Sequence, residues 1–128
     1  MTRENQIADA VFDVAFKIHT QLGPGLFESV YETIMERELL LRGFEVRRQM
    51  PVPVVWNDEK LEDGFRVDLL VGGLVIVEIK SVEALADVHF KQVLTYVRLA
   101  DRRLGLLINF NVPLLKDGIK RIANRMPS

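Results

Sequence analysis

Cysteine is absent from this chain of 128 residues, which excludes disulfide bonds, thiolate metal sites and a cysteine nucleophile. An excess of either charge is also absent, with 17 Lys and Arg against 18 Asp and Glu. Net charge therefore supplies no attraction for a polyanion, and any binding of nucleic acid must depend on local basic patches.

Long hydrophobic runs are missing as well, since no apolar stretch approaches the ~18 residues that a membrane helix needs. The N-terminus, Met1-Thr-Arg-Glu-Asn-Gln6, leads directly into an amphipathic pattern without the features of a signal peptide. We therefore expect a soluble, cytoplasmic protein with no membrane partner. The length is typical of one domain, so we predict a single domain over residues 1–128.

Two helices, a group of strands, a third helix and another strand are predicted from the spacing of apolar residues. The predicted order is α-α-β-β-β-α-β, which indicates an α/β (α+β) fold with a mixed central sheet flanked by helices. The tail from Leu115 is predicted to form a final strand or a short helix. Approximate bounds are 7–22 and 26–42 for the first helices, 44–56, 65–71 and 74–80 for the strands, 87–101 for the third helix and 104–110 for the last strand.

The first of these strands is predicted to lie at an edge of the sheet, because Pro51 and Pro53 cannot donate ladder hydrogen bonds. The next two are apolar on both faces and flank Gly72-Gly73, the strongest hairpin signal in the chain. They should therefore be central strands covered by helices.

Three charged residues interrupt these apolar strands: Asp68 in one, and Glu78 and Lys80 in the other. Charges there are costly unless they are paired, solvated in a cleft or bound to a metal. Two converging carboxylates repel each other, and a divalent cation would relieve the repulsion. Oxygen ligands favour Mg²⁺ or Mn²⁺ over zinc, and Lys80 could activate water or stabilise charge on a phosphate.

The length of the hairpin loop decides whether these side chains can meet. A strict two-residue loop at Gly72-Gly73 would place Asp68 opposite Val77, so Asp68 and Glu78 would point to opposite faces. The site therefore requires an odd-length loop or a β-bulge, and the glycines suit a three-residue loop. Surface charges or a buried ion pair are the alternative interpretation, but the D-x9-E-x-K spacing on two apolar strands favours a site.

A second set of motifs resembles a known family. Gly25-Leu-Phe-Glu28-Ser-Val-Tyr31 matches the G-x-x-E-x-x-Y signature of the bacterial GxxExxY proteins, which are assigned to the PD-(D/E)xK nuclease superfamily. The similarity extends along the whole chain. It includes Gly64–Asp68, Val77–Ser81, Gln92–Tyr96 and Leu104–Asn111.

The resemblance implies a restriction-endonuclease-like core in which Asp68, Glu78 and the Ile79 carbonyl hold the metal and Lys80 is the catalytic lysine. Glu28 would be the extra acidic residue that many members place beside the metal. Gln92 and Tyr96 resemble the Q-x-x-x-Y motif of RecB-like nucleases. The chain departs from the pattern at Val67, where the superfamily signature has proline.

The residues themselves leave some of these roles open. Glu28 is also explained as an acidic residue in a first helical turn, which the helix dipole favours. His89, Gln92 and Tyr96 share one polar helical stripe, which is either a solvated face or the wall of a cleft.

The expected function is that of a Mg²⁺- or Mn²⁺-dependent nuclease acting on DNA rather than RNA. The alternative is a non-catalytic module that keeps the fold and binds nucleic acid or a protein. A domain of this size often needs a homodimer or a protein partner to embrace DNA, and both arrangements stay open. Candidate contacts to nucleic acid are Arg47, Arg48, Arg66, Lys91, Arg102, Arg103, Lys116, Lys120 and Arg121.

Overall fold

Nine regular elements make up the computed structural model, which describes residues 2–126 apart from the side chain of Asp63. A 3₁₀ helix separates the last two strands. In chain order the elements are α1 (Arg3–Leu22), α2 (Glu28–Leu41), β1 (Val46–Trp56), β2 (Glu59–Val71), β3 (Val75–Lys80), α3 (Asp87–Leu99), β4 (Leu104–Asn109), the 3₁₀ helix (Leu115–Gly118) and β5 (Ile119–Ala123).

The strands form one mixed sheet in the order β1-β2-β3-β4-β5. β3 and β4 are parallel, and the other neighbours are antiparallel. β1 lies at an edge, as its two prolines predicted, and β3 lies at the centre. The mixed sheet with flanking helices confirms the fold class predicted from the sequence.

β5 corrects the predicted element order, which ended at β4. The tail forms both structures that were considered for it, a 3₁₀ helix followed by a strand that pairs antiparallel with β4, with Leu104 opposite Ala123 and Ile108 opposite Ile119. The strand was hard to recognise because only Ile119 and Ile122 are even partly buried in it.

Helices cover both faces of the sheet. Buried residues of α1 and α2, including Val11, Val14 and Met35, pack on one face against Val75 and Val77 of β3. On the other face, Val97 of α3 packs against Leu70 and Ile76. This two-sided cover explains why β3 is apolar at both alternating sets of positions.

In α3 and α2 the buried residues are not simply those that the spacing of apolar residues would select. In α3 the buried residues are Val93 and Val97, whereas Leu94 is 38% exposed. At the ends of α2, Phe27 and Leu41 are each 82% exposed, and the buried face of that helix includes a glutamate, Glu32. The face of α2 is therefore selected by polar contacts as well as by hydrophobicity.

The β2–β3 hairpin has the odd-length loop that the sequence required. Val71 pairs with Val75, which leaves Gly72, Gly73 and Leu74 as a three-residue loop. Both glycines have positive φ angles, 62° and 70°, which side chains with a Cβ rarely adopt. By the same register Asp68 lies opposite Glu78.

We expect Gly72→Ala to destabilise the protein more than Gly73→Ala. Both substitutions incur the cost of a left-handed backbone conformation, about 1–2 kcal/mol. A Cβ at Gly72 would also lie 2.6 Å from Cδ1 of the buried Ile7, whereas nothing lies within 4 Å of a Cβ at Gly73. Overpacking adds roughly 1–3 kcal/mol. Urea unfolding of the two variants would measure the difference, and equal losses would mean that Ile7 yields without cost.

Candidate active site

Two carboxylates meet where β2 and β3 separate. The strand ladder ends at the pair Leu69–Val77. Beyond it, the backbone N–H of Asp68 donates to Oε2 of Glu78 over 2.8 Å, and the N–H of Ile79 donates to Oδ2 of Asp68 over 2.8 Å. Each carboxylate thus accepts a backbone hydrogen bond from the opposite strand, which fixes both groups in the gap.

Burial and mutual repulsion dominate the electrostatics of this pair. Glu78 is only 6% exposed, and burial raises its pKa to about 8, with the charge of Asp68 as the next cause. The nearby Lys80 ammonium lowers the pKa of Glu78, but its effect is the smallest of those acting on this carboxyl. The pair is therefore a site that would gain from a compensating positive charge.

The donor set is consistent with a hard divalent cation. Asp68 and Glu78 offer carboxylate oxygens, and the Ile79 carbonyl adjoins them in the chain; Mg²⁺ and Mn²⁺ prefer such donors. Among residues 2–126, no group of three or more His, Asp or Glu residues is arranged to hold a metal ion. Mg²⁺ is commonly held by one or two carboxylates and several waters, so two carboxylates suffice for this ion.

Lys80 ends β3 two residues after Glu78, and its side chain is half-buried. Within the described residues it forms no salt bridge. Its charge lowers the pKa of Glu78, so the ammonium lies within electrostatic range of that carboxyl. A cation so placed, and not engaged in an ion pair, can interact with an anionic substrate.

Tyr96 belongs to α3 and is partly buried. Its ring stacks on Phe65 with centroids 4.3 Å apart and an angle of 8° between the planes. Burial raises the pKa of its phenol, and the charges of Glu78 and then Asp68 add to the effect. Tyr96 therefore remains a hydroxyl donor. Gln92, one turn earlier, is exposed, and its assigned role stays a prediction.

Glu28, at the exposed start of α2, contacts the segment that follows β3. Its Oε2 accepts a hydrogen bond from the N–H of Ser81 over 3.2 Å, and the Ser81 hydroxyl donates to the Leu26 carbonyl over 2.6 Å. These contacts attach the helix start to the segment that follows Lys80. Metal ligation by Glu28 stays a prediction.

Tyr31, the last residue of the G-x-x-E-x-x-Y motif, is fully buried. Its hydroxyl donates to the Gly23 carbonyl over 2.6 Å and accepts from the N–H of Leu26, and its ring stacks on Phe110. The tyrosine thus fixes the glycine-rich loop that leads to Glu28.

Glu32 and Gln49 are the principal site residues that sequence reasoning missed. Glu32 is 6% exposed and accepts from Nε of Arg48 over 2.5 Å and from Nε2 of Gln49 over 2.8 Å. Burial raises the pKa of Glu32 most, and the charge of Asp68 raises it further. The one available signal was an acidic residue between the core positions Tyr31 and Met35.

Asn109, at the end of β4, supports the segment that follows β3. It is 1% exposed; its amide donates to the Val82 carbonyl and its oxygen accepts from the N–H groups of Val82 and Asn111. A polar residue ending a continuous apolar strand was the signal for this role.

Four of the arginines considered for nucleic-acid contact have partners within the protein. Arg48 is bound to Glu32, and Arg102 donates to the carbonyls of Gly73 and Ala100. Arg66 donates to the Gln49 carbonyl, and Arg121 donates to Oδ1 of Asn5. The basic surface available to a polyanion is correspondingly smaller. None of the helices in the described part of the chain is long and apolar enough to span a membrane.

Similarity to one protein family agrees with the position of the two carboxylates and the lysine on β2 and β3. No curated protein and no solved structure shows significant similarity to the chain. The sequence model of the PD-(D/E)XK nuclease superfamily matches residues 5–122, which include both helices before the sheet and every strand that carries the carboxylates and the lysine. The chain therefore belongs to the PD-(D/E)XK nuclease superfamily.

Proposed function

We propose that the protein is a metal-dependent phosphodiester hydrolase that acts on nucleic acid, and on DNA in preference to RNA. The observation that carries the proposal is the pair of carboxylates held between β2 and β3, with a lysine two residues after Glu78 that forms no salt bridge to the described residues. Membership of a nuclease superfamily supports the same reaction class.

Asp68 and Glu78, with the Ile79 carbonyl, would hold Mg²⁺ or Mn²⁺. When bound, such an ion supplies Lewis-acid polarisation of the phosphate and lowers the pKa of water. Lys80 would hold the attacking water and donate hydrogen bonds to the phosphate oxygens as negative charge develops on them. The oxygens of the carboxylate pair are already oriented by backbone N–H groups, so little reorganisation is required.

The neighbouring residues would act on the substrate. The Tyr96 hydroxyl, which stays protonated, would donate to a phosphate oxygen, and Gln92 would contact the backbone of the nucleic acid from the same helix. Glu28 would be the additional acidic residue of the site, while it holds the segment after Lys80 in place.

The alternative function is a non-catalytic module that retains the fold and binds nucleic acid or a protein. The near balance of 17 basic and 18 acidic residues favours it, because a nuclease without other contacts needs local positive charge to hold its substrate. For either function, nuclease or binding module, a homodimer or a partner protein could supply additional positively charged surface.

Cleavage of labelled single-stranded DNA, duplex DNA and RNA would test the proposal. We expect products with Mg²⁺ or Mn²⁺, none with EDTA, and faster cleavage of DNA than of RNA. The Asp68→Asn variant, purified in parallel, controls for contaminating nucleases. Equal cleavage by the variant and the wild type, or no cleavage of any substrate with either ion, would contradict the proposal and favour the binding module.

A further inference from the structure

Gln49 adopts an unusual backbone conformation beside the carboxylate pair. Five described residues other than glycine have a positive φ. Four of them lie in turns or bends: Asn57, Asp58, Asp101 and Arg125. Gln49, with φ of 52°, is the one that lies within a strand. It occupies the position of β1 between the pairs Arg48–Leu69 and Met50–Val67, directly across from Asp68.

A left-handed φ is unfavourable for glutamine because its Cβ crowds the backbone, and glycine would relieve the crowding. Strained residues that persist at a site point to a role for the side chain. Since Gln49 is exposed, hydrophobic packing does not explain the residue. Its hydrogen bonds are the remaining explanation.

The Gln49 amide bridges two carboxylates. Nε2 donates to Oε1 of Glu32 over 2.8 Å and to Oδ1 of Asp68 over 3.2 Å. The two hydrogens of the amide match two acceptors, and the reverse orientation would place the amide oxygen against both carboxylates. The chemistry of its neighbours therefore fixes the orientation of this amide.

The bridge completes the support of Asp68. The N–H of Ile79 donates to Oδ2 and the Gln49 amide donates to Oδ1, so a hydrogen bond restrains each oxygen of Asp68. Glu32 is in turn held by Arg48 over 2.5 Å. The chain of contacts from Arg48 through Glu32 and Gln49 joins α2 and β1 to Asp68.

We propose that Gln49 is a positioning residue, which holds the Asp68 carboxylate in the orientation that binds the metal ion; this inference rests on the proposed function. Residues that orient metal ligands commonly change metal affinity or activity about 10–100-fold when they are removed. Gln49 would act on the ion through Asp68, without ligating it.

Gln49→Gly separates this role from the backbone strain, because glycine accepts the positive φ while it removes the amide. Asn57→Gly is the matched control, since Asn57 has a φ of 49° in the β1–β2 turn. Both variants should unfold at a temperature close to that of the wild type. We expect the dissociation constant of Mn²⁺, measured by calorimetry without substrate, to rise about 10-fold or more for Gln49→Gly and to stay unchanged for Asn57→Gly.

Steady-state kinetics at saturating Mn²⁺ add a second readout. We expect kcat to fall for Gln49→Gly while KM for the nucleic acid stays constant.

The Asp68→Asn variant distinguishes failure of this inference from failure of the proposed function. If Asp68→Asn loses Mn²⁺ binding while Gln49→Gly keeps the affinity and kcat of the wild type, the positioning role is overturned and the proposed function stands. If the wild type itself neither binds Mn²⁺ nor cleaves nucleic acid, the proposed function and the positioning role fall together.

Discussion

Replacement of Lys80 by methionine is expected to lower kcat for phosphodiester cleavage about 10²–10⁴-fold, the range associated with loss of a positioned proton donor or charge stabiliser. Methionine keeps an unbranched, apolar stem in this half-buried position and removes only the ammonium. The carboxylates should stay in place, because their hydrogen bonds come from the backbone of Asp68 and Ile79 and not from Lys80.

Lys80→Met should therefore still bind the metal ion while it loses catalysis. Lys80 lowers the pKa of Glu78 slightly, so its removal favours the protonated carboxyl and weakens Mn²⁺ binding at neutral pH. At pH 9, above the pKa of about 8 of Glu78 in the wild type, the Mn²⁺ affinities of Lys80→Met and the wild type, measured by calorimetry, should differ less than at neutral pH. The loss of kcat should persist at that pH.

Two further variants complete the comparison. Asp68→Asn should lose both Mn²⁺ binding and cleavage, because it removes a carboxylate of the proposed metal site. Lys17→Met makes the same chemical change at a surface ion pair with Glu38, at a side chain that is 50% exposed, and should leave both measurements unchanged. Cleavage by Lys80→Met at the wild-type rate would show that the ammonium takes no part in the reaction.

The convergence of Asp68 and Glu78 could be predicted because it depends on local arithmetic along one hairpin. Alternation along a strand and the length of a loop determine which side chains share a face. The requirement for an odd-length loop followed from nine intervening residues, and Gly72, Gly73 and Leu74 form that loop. The edge position of β1 followed as directly from its two prolines.

The support of the site could not be predicted in the same way, because it depends on contacts between distant segments. A glutamate in an amphipathic helix ordinarily lies at the surface. Glu32 is buried only because Arg48 and Gln49 reach it from β1, 16 and 17 residues away. The sequence carries no periodic signal for such a pairing. Gln49 was equally hidden, since its positive φ arises from the sheet and not from a turn motif.

Glu78→Gln is expected to make the metal-free protein more stable at alkaline pH. Glu78 has a pKa of about 8 in the folded protein and the ordinary value of 4.5 when the chain is unfolded. The folded state therefore favours the protonated carboxyl, and its contribution to stability is complete below pH 4.5. That contribution is lost as pH rises through the folded pKa near 8.

The wild type should consequently lose stability between about pH 5 and pH 9, and Glu78→Gln should lose much less. One pKa unit corresponds to about 1.4 kcal/mol, so the change is on the order of a few kcal/mol. For a domain of this size that is roughly a 10 °C difference in Tm at pH 9, and little difference at pH 5. Glutamine keeps an oxygen that can accept from the N–H of Asp68.

Thermal unfolding in EDTA across this pH range would measure the effect, with the exposed Glu83→Gln as the matched control. Parallel Tm profiles for Glu78→Gln and the wild type would mean that the Glu78 carboxyl ionises near its ordinary pKa in the folded protein.

The same unfolding experiment with Mn²⁺ in place of EDTA tests whether the proton and the ion compete for Glu78. Because both compete for Glu78, Mn²⁺ should stabilise the wild type more at pH 9 than at pH 6, and should stabilise Glu78→Gln less at pH 9. A buried carboxyl beside a second carboxylate, which costs stability when no cation is present, is what the proposed metal site should contain if it was selected for binding rather than for folding.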